Sequence, residues 1–92
     1  MIGPEDIPVL PRGVRLHRDR VRGGWVLLAP ERTLALDETG RAILAEIDGI
    51  RSFAAIAAAL ATAYDAPEAE IAADSQGFLG ALLDRRFLEI RQ

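Results

Sequence analysis

The chain has 92 residues, half of them hydrophobic, with eleven basic residues (all arginine) and fourteen acidic ones, for a net charge of −3. That length makes one domain, because a second would leave each half too small for its own core. The composition is too apolar for a disordered chain and too charged for a membrane protein. No aliphatic run approaches the roughly 20 residues that span a bilayer, and Glu5, Asp6 and Pro8 stand where a signal peptide has its basic and apolar regions. Without cysteine there is no disulfide framework, thiol nucleophile or thiolate metal site. The expectation is a cytoplasmic protein that binds another polypeptide, without catalysis or a cofactor.

Residues 1–13, with three prolines and two glycines, read as an N-terminal arm whose Ile7, Val9 and Leu10 pack part of it down. The rest, 14–92, reads as the domain proper. Val14 to Arg18 alternates and predicts a short strand facing inward through Val14 and Leu16. Gly23-Gly24 signals a turn, Trp25 to Ala29 a second, almost wholly apolar strand, and Thr33 to Leu36 a third after a turn at Pro30-Glu31. Short turns between them make an antiparallel three-stranded sheet the economical arrangement.

The period then changes. Asp37 or Thr39 caps a helix predicted to reach about Asp48, ended by Gly49. Ser52 caps a second, with Phe53, Ile56, Leu60 and Tyr64 as its buried stripe. Pro67 opens a third, with Glu68 and Glu70 in its first turn, where the helix dipole favours acids. Ile71, Phe78 and Leu82 form its inward stripe, widened by Leu79 and Leu83. Phe87 to Ile90 finishes as a short extended piece. The fold class is α+β: a three-stranded antiparallel sheet followed by three helices, winged-helix-like in topology.

Candidate chemistry is sparse. His17 is the lone imidazole and points away from the core in the strand reading; acid pairs such as Glu70 with Asp74 read as helix-start electrostatics; Gly23-Gly24 lacks the context of a phosphate loop. Winged-helix topology raises nucleic acid as a rival, and five arginines between Arg12 and Arg22 could serve a basic wing. Against it, the second helix offers alanines and Thr62 outward, and the third begins with Glu68, Glu70 and Asp74, the wrong sign for a phosphate backbone. A peptide ligand fits better. The third strand carries no Lys or Pro guarding its edge, and a bare edge beside a helix is a groove for β-augmentation. Which strand lies at the edge is open at this point.

The chain resembles the pyrroloquinoline quinone (PQQ) biosynthesis protein D family of small peptide chaperones. The likeness is carried by Pro11-Arg12 leading to Arg18-Asp19, by Leu27 to Glu31, by Leu34-Ala35-Leu36-Asp37-Glu38-Thr39-Gly40 running into Ala42-Ile43-Leu44, and by Ile47-Asp48-Gly49. It continues through Ile71 to Asp74, Phe78-Leu79, Leu82 and Phe87-Leu88. The same framework occurs in recognition domains of other modified-peptide pathways. The resemblance implies a ribosomal precursor peptide as partner, added as a strand beside the third strand and presented to a radical S-adenosylmethionine enzyme that cross-links its glutamate and tyrosine. The implied peptide-binding residues are the backbone of Thr33, Leu34, Ala35 and Leu36, and from the third helix Asp74, Ser75, Phe78, Leu79 and Leu82. Leu36, Phe78 and Leu82 also suit plain packing, and Asp74 suits either a ligand contact or an internal cap. One position departs: Arg86 stands where relatives commonly have glycine, which a backbone that is not left-handed would tolerate.

Overall fold

The computed structural model describes residues 2–91. Three strands form the main sheet: β2 (Arg15–Arg18), β3 (Trp25–Ala29) and β4 (Arg32–Leu36), in the order β2-β3-β4 and antiparallel throughout. The β2–β3 turn is built on Gly23 and Gly24, both at positive φ, and on Asp19, whose Oδ1 accepts from the backbone N–H groups of Val21 and Arg22. On β3, Leu27 is fully buried, and this side of the sheet carries the core.

Three helices cover that side. Helix α1 (Glu38–Ala45) starts at Asp37, whose Oδ1 accepts from Gly40 N at 2.7 Å. Asp37, not Thr39, is therefore the cap. The helix stops at Ala45, short of Asp48, because Glu46 and Ile47 donate three residues back, to Ile43 and Leu44, and the last turn tightens. Asp48 then holds a turn of its own, accepting from Ile50 N and Arg51 N. Helix α2 (Phe53–Tyr64) is capped by the Ser52 hydroxyl on Ala55 N and buries Phe53, Ile56 and Leu60. Tyr64, expected in that stripe, is the last residue of α2 and is 56% exposed.

Helix α3 (Glu68–Asp84) follows Pro67 and packs on α2. Its innermost residues are Ser75, Leu79 and Leu82, whereas Ile71 and Phe78 are half-buried. The helix is turned relative to the expected stripe, and the small Ser75 is buried with Leu79 and Leu82. It closes with Phe87 N on Leu82 O at 2.9 Å and Arg86 N on Leu83 O at 3.1 Å, a pair of bonds that needs a left-handed residue between them. That residue is Arg86, at φ 63°. The condition for an unstrained arginine there is not met.

The start of the chain is a strap. Ile2 is completely buried in the main core with Leu27, Leu44, Ile56, Leu79 and Phe87. The strap carbonyls of Asp6 and Pro4 accept from Phe53 N and Ala54 N, satisfying donors that the first turn of α2 leaves open. A two-residue strand, β1 (Pro8–Val9), then pairs antiparallel with β5 (Glu89–Ile90) in a separate small sheet.

Candidate functional site

Strand β4 pairs with β3 on one side only and is an edge of the sheet. In an antiparallel ladder every second residue aims its N–H and C=O away from its partner. The free side of β4 thus offers backbone donors and acceptors that no other strand takes among the described residues. Side chains alternate: Thr33 and Ala35 are exposed on the face away from the helices, while Leu34 and Leu36 are half-buried toward α3.

Between β4 and α3 lies an open groove of about 280 Å³. Leu34, Ala35 and Leu36 form one wall, Phe78, Ala81 and Leu82 the other, with Asp37 and Arg85 completing the lining. Phe78 reaches its position because Gly40 has no side chain: a Cβ there would stand 3.1 Å from the ring tip and 3.3 Å from the capping Asp37 oxygen. The Asp37-to-Gly40 segment therefore shapes the groove as well as starting α1. At the far end, Arg32 spans the two walls, donating from Nη1 to Arg85 O at 2.6 Å with its guanidinium 4.1 Å from the Phe87 ring centroid.

The expected site residues divide by place. Leu34, Ala35, Leu36, Phe78 and Leu82 meet in the groove. Thr33 lies on the same edge but lines the hollow on the opposite face of the sheet, with Trp25 and Val26. Asp74 and Ser75 border a second cavity of about 170 Å³ between the three helices, together with Thr39, Ile43, Leu60 and Tyr64. Leu79 is fully buried in the core. Arg85, Asp37 and Ala81 were not expected in the groove. Arg85 reads as a helix-end charge and Asp37 as a cap, and only the spacing of Phe78, Ala81, Leu82 and Arg85 along one helical face could have joined them. His17, Arg15 and Arg18 are exposed on β2, which β3 separates from this edge strand.

Comparison with known proteins places the chain in a family. A family model described as coenzyme PQQ synthesis protein D (PqqD) matches residues 24–88, which hold β3, β4 and all three helices. The chain belongs to the PqqD family. It is 49% identical to the PqqA binding protein of Rhizobium meliloti over 92 residues, covering all of this chain and 94% of that one. It is also 49% identical to part of the bifunctional coenzyme PQQ synthesis protein C/D of Methylorubrum extorquens, over 91% of this chain and 23% of that longer one. Among solved structures, the PqqD portion of Methylobacterium extorquens PqqCD superposes with a TM-score of 0.83 at 46% identity, covering 97% of this chain and 95% of that one. That solution structure is described as a stand-alone recognition element for ribosomally synthesised, post-translationally modified peptides. The crystal structure of PqqD from Xanthomonas campestris aligns at a TM-score of 0.61 with 40% identity over 97% of this chain and 99% of that one. The α+β fold of this PqqD-family chain, sheet first and helices after, is the fold of those relatives.

Proposed function

We propose that this protein is a non-catalytic carrier that binds PqqA, the ribosomal precursor peptide of PQQ, by strand addition and presents it to the radical S-adenosylmethionine cross-linking enzyme. The observation that carries the reading is the free edge of β4 beside an apolar groove, in a chain so similar over its whole length to a PqqA binding protein. A disordered peptide loses entropy on ordering. Pairing with the β4 backbone offsets part of that loss with weak demands on sequence, and the pockets beside Leu34, Leu36, Phe78 and Leu82 set the register.

Asp74, Ser75, Leu79 and Thr33 act in this reading from beside or beneath the groove, through α3 and the β4 backbone. The fused relative of Methylorubrum extorquens supports a carrier that works next to an enzyme of the same pathway. Such tethering raises effective concentration without the carrier touching the chemistry. A carrier must also let go, so the expected affinity is about micromolar.

The test is an amide-shift titration of labelled protein with synthetic PqqA. Saturable shifts confined to Arg32–Asp37 and the Phe78–Arg85 face of α3 are the expected result. Shifts confined to the β2–β3 hairpin, or none in folded protein, would sink the groove as the binding site.

A further inference from the structure

The groove is apolar along its middle and charged at its ends. At one end two guanidiniums converge on a single aromatic ring, Arg32 at 4.1 Å and Arg85 at 5.2 Å from the Phe87 centroid. Arg32 is held in place: one of its donors is spent on the Arg85 carbonyl at 2.6 Å, and the ring lies under its face. Among the described residues the ion pairs join Arg41 to Glu38 and Arg51 to Glu46 and Asp48, so neither Arg32 nor Arg85 has a carboxylate partner. Glu31 and Asp84 are their chain neighbours, exposed and outside any ion pair. Both arginines are exposed, and apart from the Arg32 bond to Arg85 O their side-chain N–H donors make no hydrogen bond among the described residues. At the opposite end of the groove lies the Asp37 carboxylate.

We propose that the Arg32–Arg85 pair is a subsite for one acidic side chain of the bound peptide, and that it sets the direction in which the peptide strand lies. The occupant follows from geometry. A strand added along β4 turns alternate side chains toward α3. A carboxylate opposite Arg85 therefore places the side chain two positions away opposite Leu34 and Leu82, where an apolar residue fits. A strand entering the other way round would carry that carboxylate toward Asp37, where like charges repel. Carboxylates favour arginine because the planar fork donates two parallel hydrogen bonds, and an arginine already anchored loses little freedom in making them. The same two side chains also shield Phe87, which is completely buried, so a purely structural role is the competing account.

This subsite rests on the strand-addition reading above, and the experiment separates the two. Binding of PqqA is measured by calorimetry alongside PqqA variants in which each Glu or Asp is replaced singly by Gln or Asn. The set is repeated on Arg85→Gln, or on Arg85→Lys if the glutamine variant loses thermal stability. One substitution in the peptide is expected to weaken binding about tenfold to the unaltered protein and less than twofold to Arg85→Gln. Arg85→Glu is expected to recover affinity for the peptide carrying Lys at that same position. Uniform affinities across the peptide set, or equal losses on both proteins, overturn the subsite and leave the groove standing. Failure of PqqA itself to bind overturns both.

Discussion

Arg86 is the residue at which local backbone and side chain disagree most. Left-handed φ costs a non-glycine residue about 1–2 kcal/mol, part of which a glycine gives back through its freer unfolded state. Arg86 is exposed and forms no ion pair among the described residues. Arg86→Gly is thus expected to stabilise the fold by about 0.5–1 kcal/mol, seen as a rise in Tm of about 3–6 °C; an unchanged or lower Tm would mean that the arginine makes a compensating contact. Asp48 presents the opposite situation, a side chain satisfied by its backbone. The N–H groups of Arg51 and then Ile50 hold its carboxyl at about 2, from an ordinary value of 3.8. A lowered folded value means that the contribution is complete above the unfolded value and is lost as pH falls through about 2. The amide shifts of Ile50 and Arg51 should therefore titrate with a midpoint near 2 and be flat around pH 4; a midpoint near 4 would contradict the hydrogen-bonded turn.

Among the elements, helices were the most legible. Asp37 and Ser52 mark their starts by side-chain chemistry that acts within three residues, so the chain order alone reveals them. The rotation of α3 was not legible, because Ser75 is polar by type and buried only by virtue of what α1 and α2 bring against it. The groove was half legible. Its β4 wall and Phe78 and Leu82 could be named, but the bond from Arg32 to Arg85 crosses 53 positions and leaves no local pattern. Gly40 shows how closely the elements depend on one another. Gly40→Ala adds helix propensity of about 1 kcal/mol, yet its Cβ meets the Phe78 ring at 3.1 Å, so the ring has to give by a few tenths of an ångström. Overpacking costs about 1–3 kcal/mol. The expected net result is a loss of about 1 kcal/mol in urea denaturation, with weaker PqqA binding as Phe78 shifts into the groove. A stabilised variant with unaltered binding would show that the ring yields freely.

At the scale of the whole molecule, the sheet and the three helices do not close the core by themselves. Ile2 fills it from the far end of the strap, and Gln76 Nε2 fastens the Ile2 carbonyl at 2.8 Å. Proline-rich sequence hides such a role, because its backbone follows no period. Ile2→Ala is expected to cost about 2–3 kcal/mol, the large-to-small penalty of a buried aliphatic; a change below 0.5 kcal/mol by chemical denaturation would mean that the strap is dispensable. Charge is also divided at this scale. Residues 1–30 carry five arginines against three acids, and the remainder six against eleven, so a basic hairpin projects from an otherwise acidic body.

The pairing of β1 with β5 sets Pro8 opposite Ile90 and Val9 opposite Glu89, and Arg91 N reaches Ile7 O at 2.8 Å. The tail is thus fastened to the strap at Ile7–Val9, and the two segments protect each other's backbone N–H groups from exchange. Added residues are better placed at Gly23-Gly24, where no atom lies within 4 Å of either missing Cβ. An insertion there would leave the core, the strap-to-tail fastening and the β4–α3 groove uncut, with the new residues at the tip of the arginine hairpin.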